Sequence, residues 1–363
     1  MITSMIFRHL GLIVGIILFV PVGLLAVLAL FIPITLSGVC YLIGLAMIVA
    51  GSSTAPWRCS RFRGITRTGL LCICVVAAGR LAVGGRGVTV TLMTLPGQTS
   101  TRWLDRLFHE RDIGLFGQQA AFMMGIGLSP REHEGLRPAL QTAYAGMDEA
   151  KASGASPFLG TYLGLQHPGA FDAVVIEPAG QGPARTAVVF LHGFAGNFAV
   201  QGWLVSRAAA RCGAVTICPS VGWRGDWWTH DGESTVRSTL DYLHARGVER
   251  IYLAGLSNGA VGTCRLASHF SSELSGLILI SGADPQAPDA GLPVLLIQGT
   301  DDERMPASLA IQFASRSGKR AIYREFHGDH LLLAKRARDV QEVFADWLSQ
   351  QEVRAREPSG NAR

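Results

Sequence analysis

The fold of this 363-residue chain is decided by the stretch GLSNG at residues 255–259. The apolar run RIYLA at 250–254 precedes it and is typical of a buried strand, and a helical run begins at Ala260. A serine in so tight a turn between a strand and a helix must adopt a strained backbone conformation. Gly255 and Gly259 leave the space that the crowded strand and helix need, and the serine hydroxyl is then held clear of the sheet.

Two later segments each join an apolar strand to a polar loop. PVLLIQ at 293–298 is typical of a fully buried parallel strand, and GTDDERMP follows it at 299–306. RAIYREF at 320–326 is typical of a last strand, followed by HGDH at 327–330 and then by a helix. The chain therefore presents a serine, then aspartates, then histidines, each group directly after a strand.

With these motifs the chain resembles the α/β-hydrolase family. In that family G-x-S-x-G lies between a strand and a helix, and the acid and the histidine follow it in that order. A strand ending in Gly-x-x-Asp carries the acid, and the loop before the last helix carries the histidine. The resemblance implies Ser257 as nucleophile, Asp302 as acid and His330 as general base. Three alternatives stay open for the acid and the base: Asp301, Asp284 and His327.

The chemistry of these groups explains why they would occur together. A serine hydroxyl is a poor nucleophile at neutral pH, and an imidazole can accept its proton and later return it to the leaving group. The carboxylate holds the imidazole tautomer and stabilises the imidazolium. The HGDH cluster at 327–330 is the one group that suggests a metal, and it has no second set of ligands. We therefore expect neither a metal nor a cofactor.

A second family motif indicates where an oxyanion would bind. The strand TAVVFL at 186–191 ends in HGFAG at 192–196, and a strand followed by His-Gly is typical of the family. The resemblance implies the backbone N–H of Phe194 and that of Asn258 as oxyanion donors. We expect His192 to brace the loop; contact with substrate is the alternative.

Strands alternate with helices from Gly169 to Gln350, which predicts a doubly wound, mostly parallel sheet of the α/β-hydrolase fold. Only residues 281–292 separate the strand after the elbow helix from the strand that carries the acid, so no lid domain fits there. Covering elements would come from 101–168 or from 220–231. The second segment holds three tryptophans that either line an acyl or aromatic pocket or pack on the domain: Trp223, Trp227 and Trp228.

The N-terminal region is strongly apolar. Residues 10–50 carry no charge. This uncharged stretch is about twice as long as the roughly 20 residues that one membrane helix needs. Pro33 predicts a hairpin of two helices, Leu10–Ile32 and Ile34–Ala50. A cleaved signal peptide is the alternative, but this apolar stretch is too long for one. A third apolar stretch, Thr68–Val83, either spans the membrane or lies at its surface.

Charge is distributed unevenly along the chain. No acidic residue precedes Asp105, whereas the rest of the chain carries 24 basic and 27 acidic residues. Eight arginines occupy that first part: Arg8, Arg58, Arg61, Arg63, Arg67, Arg80, Arg86 and Arg102. We interpret this as a positive-inside signal and not as a surface for nucleic acid. With the third stretch spanning, the catalytic domain would lie outside the cytoplasmic membrane; otherwise it would be cytoplasmic.

These observations predict four regions. They are a membrane region of two to three helices at 1–95, a helical connector or cap at 96–168, the α/β-hydrolase domain at 169–350 and a disordered tail at 351–363. The cysteines indicate neither a disulfide framework nor a zinc site.

The predicted function is that of a multi-pass membrane protein, bound to the lipid bilayer through its N-terminal helices. It would act as a serine hydrolase on a small acyl or ester substrate, with a thioester or peptide bond as further options. An acyltransferase with the same triad and a non-catalytic binding module on the same fold are the alternatives.

Overall fold

A computed structural model describes residues 2–53, 60–83, 89–95, 98–99, 102–152, 154–180 and 182–356. The chain forms two compact units. The first consists of residues Met1–Gly84 and Arg106–Gly127, and the second of Gly85–Asp105 and Leu128–Arg363.

The first unit is helical. Its long helices are α1 (Ile2–Ala29), α2 (Leu36–Ser53) and α3 (Ser60–Val83). The chain re-enters this unit at Arg106, within α4 (Leu104–Leu107), and continues in α5 (Glu110–Met123). The predicted turn at Pro33 lies between α1 and α2. By length and composition, Gly64–Val83 is the one stretch among the described residues that is long and apolar enough to cross a bilayer. Two shorter apolar helical stretches are Ile17–Ala29 and Leu36–Ser52.

Close packing joins α2 to α3 in this unit. A Cβ placed on Gly69 would lie 2.6 Å from the carbonyl oxygen of Gly44, so the two backbones approach each other as only glycine permits. Residues after α3 return to the same unit. Asp112 of α5 accepts hydrogen bonds from the backbone N–H of Thr35 at 2.9 Å and from its hydroxyl, and thereby caps the start of α2. Arg80 donates to the carbonyl oxygen of Phe108 at 3.2 Å, near the end of α3.

The second unit is built on a sheet in which the described residues form nine strands, in the order β2-β1-β3-β5-β4-β6-β7-β8-β9. The strands are β1 (Val90–Leu95), β2 (Gln98–Thr99), β3 (Phe171–Ile176), β4 (Thr186–Leu191), β5 (Val215–Pro219), β6 (Arg250–Leu256), β7 (Gly276–Ile280), β8 (Val294–Gly299) and β9 (Ala321–Phe326). From β5 through β9 all neighbours are parallel. Strands β1, β2 and β3 join antiparallel. This mixed sheet with helices on both faces fits an α/β-hydrolase fold.

Within the described part of the chain, nine α-helices accompany the sheet. They are α6 (Pro130–His133), α7 (Leu136–Glu149), α8 (Phe158–Tyr162), α9 (Ala199–Ala209), α10 (His230–Ala245), α11 (Asn258–Leu266), α12 (Ala307–Ser317), α13 (Leu332–Lys335) and α14 (Ala337–Arg356). Successive side chains of β4 point to opposite faces of the sheet, and a separate hydrophobic core lies on each face. Val188 and Phe190 pack with α7, α9 and α14, whereas Val189 and Leu191 pack with α10, α11 and α12. Burial on both faces explains why these parallel strands are apolar throughout.

Three predicted boundaries differ from the structure. The sheet begins at Val90, inside the predicted membrane region 1–95, because Val90–Leu95 pairs with β3 and buries Val90, Leu92 and Leu95. Strand β3 is therefore an internal strand of the sheet, between β1 and β5. Within the predicted connector at 96–168, α7 is a core helix on the face of α9, not a cap.

The last helix extends further than predicted. It continues to Arg356, because Glu352 is buried and accepts hydrogen bonds from Arg250 at 2.9 Å and from the Tyr252 hydroxyl at 3.1 Å. The predicted disordered tail at 351–363 therefore begins as ordered helix, and residues 357–363 lie outside the described residues.

Candidate active site

The turn between β6 and α11 holds Ser257 in a strained conformation, with φ 55° and ψ −118°. A Cβ on Gly255 would collide with the backbone of Gly259, and a Cβ on Gly259 would collide with the carbonyl of Leu191. Glycine is therefore required at both positions, as the crowding argument predicts. The N–H of Ser257 donates to the carbonyl of Ile280 at 3.0 Å, which fixes the turn to β7.

Three predicted side chains come together at this turn. The Ser257 hydroxyl lies 2.8 Å from Nε2 of His330. Nδ1 of His330 lies 2.9 and 3.0 Å from the two carboxylate oxygens of Asp302. With Nδ1–H donating to the carboxylate, Nε2 accepts from the serine hydroxyl, which is the tautomer that a general base needs.

Asp302 is held by donors on both oxygens. Its Oδ1 accepts the backbone N–H of Arg304 at 3.0 Å and that of Met305 at 2.9 Å. Its Oδ2 accepts the side-chain amide of Gln298 at 2.9 Å, and the carboxylate is fully buried. Gln298 was not anticipated as a site residue. The signal was present, since it is the polar residue that ends the otherwise apolar strand at 293–298.

The alternative acids and base occupy other positions. Asp301 and His327 pair with each other at 3.1 Å on the surface, where the histidine is largely exposed. Asp284 pairs with Arg265 at 2.6 Å. Neither Asp301 nor Asp284 contacts His330 in the described structure. Of the three aspartates, Asp302 alone contacts the His330 imidazole within the described residues.

The loop after β4 lies against the nucleophile. A Cβ on Gly193 would be 3.1 Å from the Cβ of Ser257, so Phe194 follows a residue that lies directly against Ser257. Ala195 and Gly196 in this loop both have positive φ, 79° and 91°. Among the described residues, neither the N–H of Phe194 nor that of Asn258 donates to another protein group. Both N–H groups thus have no protein acceptor among the described residues, which is what an oxyanion donor requires.

His192 braces this loop from beneath. It is fully buried, its Nδ1 donates to the carbonyl of Gly193 at 2.8 Å, and its Nε2 accepts the N–H of Val221 at 3.3 Å. Burial lowers the pKa of His192 to about 4, so the ring is neutral near pH 7. A neutral imidazole with both nitrogens bonded is suited to holding the loop and not to proton transfer.

The three tryptophans have different environments. Trp227 is fully buried against Gly262 and donates its indole N–H to the carbonyl of His192 at 2.8 Å. The expectation that Trp227 binds substrate is therefore wrong, because its ring faces only protein. Trp228 stacks against Arg265 at 5.1 Å, two helical turns along α11 from the nucleophile. Trp223 contacts Phe194 in the loop after β4 and is 40% exposed.

Trp223 belongs to a row of three aromatic rings, called here the aromatic row: Phe194, Trp223 and Tyr162. The ring centroids of Phe194 and Trp223 lie 5.0 Å apart, and those of Trp223 and Tyr162 lie 6.3 Å apart. The three residues are 52%, 40% and 49% exposed. Tyr162 was not anticipated, because it lies in a segment without a readable motif.

Across the part of the chain that the structure describes, no three His, Cys, Asp or Glu side chains converge to hold a metal ion. In the HGDH segment, Asp329 pairs with Lys335 at 2.6 Å.

Comparison with known proteins gives structural likenesses only. No family model matches the chain, and no curated protein matches it. Est1E from Butyrivibrio proteoclasticus is 17% identical, with a TM-score of 0.44 over 51% of this chain and 95% of that one. XC6422 from Xanthomonas campestris, described as an a/b serine hydrolase without lid, is 18% identical, with a TM-score of 0.42 over 51% and 91%. The esterase Pf2001 from Pyrococcus furiosus is 14% identical, with a TM-score of 0.43 over 50% and 87%. At these values the likeness concerns the path of half the chain and not its substrate.

Proposed function

We propose that this protein is a serine hydrolase that cleaves a carboxylic ester through an acyl-enzyme on Ser257. The observation that carries the proposal is the hydrogen-bonded chain from Ser257 through His330 to Asp302, at a strained strand-to-helix turn. A strained serine backbone is costly to maintain and is found where function requires it.

The geometry supports a two-step reaction. The Ser257 oxygen attacks the ester carbonyl while Nε2 of His330 takes its proton, and the N–H groups of Phe194 and Asn258 stabilise the oxyanion. The alcohol leaves with the proton from His330. Water then attacks the acyl-enzyme while Nε2 of His330 takes its proton. The bond from the acyl group to the Ser257 oxygen breaks, His330 returns the proton to that oxygen, and the acid is released. Asp302 stabilises the imidazolium in both steps.

The aromatic row is the proposed acyl site. It starts at Phe194, whose N–H is a proposed oxyanion donor, and it continues outward through Trp223 to Tyr162. An exposed apolar surface next to a polar reacting centre suits an apolar acyl group. Because the row is open to solvent, the acyl-enzyme stays accessible to water, which favours hydrolysis over acyl transfer.

We also propose that α1, α2 and α3 anchor the enzyme in a membrane. Uncharged stretches in α1 and α2, together with the 20-residue stretch Gly64–Val83, support three spans. Arginines cluster before and at the start of α3, and the chain leaves α3 at its opposite end. If the cluster is cytoplasmic, the hydrolase follows on the extracytoplasmic side.

Labelling with a fluorophosphonate probe tests the proposed activity. The full chain should be labelled and should hydrolyse a short p-nitrophenyl ester. Ser257→Ala should lose labelling and roughly a million-fold in turnover while keeping its melting temperature. Absence of labelling in the wild-type protein would instead favour a binding module, and substantial turnover by Ser257→Ala would move the nucleophile elsewhere. Analysis of products with an added alcohol would reveal acyl transfer.

A further inference from the structure

An ion pair between buried Glu132 and partly exposed Arg304 joins the loop of Asp302 to an upstream helix. The guanidinium of Arg304 binds both carboxylate oxygens of Glu132 in α6, with Nη2 2.7 Å from Oε2. Burial opposes ionisation of Glu132, but Arg304 and the N–H of Ser129 outweigh it and lower the Glu132 pKa to about 2. The same Arg304 donates its backbone N–H to Asp302. One residue thus connects the triad acid to α6.

A second contact joins the same helix to the loop of His330. The Lys335 ammonium donates to the carbonyl of Arg131 at 2.9 Å and to Oδ2 of Asp329 at 2.6 Å. Asp329 directly precedes His330, and its Oδ1 accepts the N–H of Leu331 at 2.9 Å. The loops that carry the acid and the base follow different strands, yet both are held by residues 131–132.

The upstream segment is itself ordered by local hydrogen bonds. Ser129 and Glu132 form a capping box, in which the N–H of Ser129 donates to Glu132 at 2.8 Å and the N–H of Glu132 donates to the Ser129 hydroxyl at 3.3 Å. Pro130 at the first helical position restricts the backbone further. Glu132 therefore presents its carboxylate to Arg304 from a fixed position.

We infer that residues 129–132 form a brace that positions the triad: Glu132 sets the Asp302 loop through Arg304, and the Arg131 carbonyl sets the His330 loop through Lys335. The inference rests on the proposed function. Glu132, Arg304 and Lys335 are positioning residues, because none of them contacts the serine or the imidazole. Small misplacements of reacting groups cost up to about 100-fold in rate, so the brace acts on kcat and leaves KM nearly unchanged.

The experiment compares two ion pairs between the same two segments. Glu132→Gln keeps the shape of the side chain and removes its charge, and it should lower kcat for a short p-nitrophenyl ester by about 10- to 100-fold. Glu303→Gln is the matched control, because Glu303 pairs with Arg131 at 3.2 Å with both side chains more than 70% exposed. The control should change kcat less than twofold, because exposed ion pairs contribute little to holding two segments together.

A double-mutant cycle separates positioning from general destabilisation. If the brace acts through Asp302, Glu132→Gln should cost much less in an Asp302→Asn background than in the wild type. Independent, additive losses would overturn the inference, as would a Glu132→Gln protein with wild-type kcat. Should Glu132→Gln not fold, Glu132→Asp carries the same cycle, with a smaller expected loss of kcat.

Different outcomes would refute the proposed function and the proposed brace. Wild-type protein without Ser257-dependent turnover would refute the hydrolase, whereas an active wild type with an unaffected Glu132→Gln would refute only the brace.

Discussion

Phe194 and Trp223 meet edge to face, with their ring centroids 5.0 Å apart. The adjacent Arg224 carbonyl accepts the side-chain amide of Asn258 at 2.9 Å, so the Trp223 loop is tied to the residue after the nucleophile. The aromatic row therefore begins where the ester carbonyl would be held. An acyl chain extending from that carbonyl would run along the rings.

Trp223→Ala should change the preference for acyl length. We expect kcat/KM for p-nitrophenyl octanoate to fall about tenfold and that for the acetate less than twofold, because only the longer chain reaches the indole. Steady-state kinetics on both esters measures this. Trp228→Ala is the control, since that ring stacks on Arg265 and should leave the ratio unchanged. Equal losses on both esters would place the acyl chain elsewhere.

The paired candidates for acid and base should separate clearly. Asp302→Asn should cost about 10⁴ in kcat, as a wrong imidazole tautomer does. Asp301→Asn should cost little, because Asp301 pairs only with exposed His327 and its neighbours at the surface. Likewise His330→Ala should inactivate and His327→Ala should be mild, all measured on a short ester. Large losses at Asp301 or His327 would show that the roles of the two loops are misassigned.

Asp105 should make stability depend on pH. It is fully buried, and burial first, then the nearby charge of Asp172, raises its pKa to about 7. Between its usual pKa near 4 and pH 7, the folded state keeps a proton that the unfolded state loses. The free energy of unfolding should therefore fall as pH rises through this window, by at most about 1.4 kcal/mol per unit, and level off above it.

The measurement compares melting temperatures of wild type and Asp105→Asn in detergent at pH 5 and pH 8. The neutral amide does not titrate, so the melting temperature of the variant should rise relative to that of the wild type as pH rises. A difference that is the same at both pH values would show that Asp105 is ionised in the folded state throughout.

The anchoring proposal predicts that the full chain stays in membranes after an alkaline carbonate wash, because hydrocarbon burial does not depend on surface charge. Protease added to spheroplasts should digest the hydrolase unit, with a cytoplasmic marker protein left intact as the control. Protection until detergent is added would place the enzyme in the cytoplasm and make Thr68–Val83 a surface helix. The enzymatic proposal would stand, since it rests on other residues.

Local sequence patterns were sufficient to predict the parallel strands of the sheet. Strands β4, β6 and β8 are apolar because helices cover both faces, so composition alone predicts them. The order of GLSNG, GTDD and HGDH after successive strands predicts their convergence, because parallel strands bring their carboxyl ends to one edge of the sheet. Glycine at 255 and 259 follows from crowding at the turn.

Only the tertiary structure decided the features that depend on distant pairing. Val90 pairs with Ile176, and nothing local in an arginine-flanked segment after an apolar helix predicts that register. Glu132 and Arg304 are likewise far apart in sequence. Trp223 and Trp227 are four residues apart and chemically identical. Trp227 is buried because Gly262 leaves room for its ring and the His192 carbonyl accepts its N–H, whereas Trp223 stays exposed beside Phe194. Whether a ring is core or surface depends on which neighbours the fold brings to it.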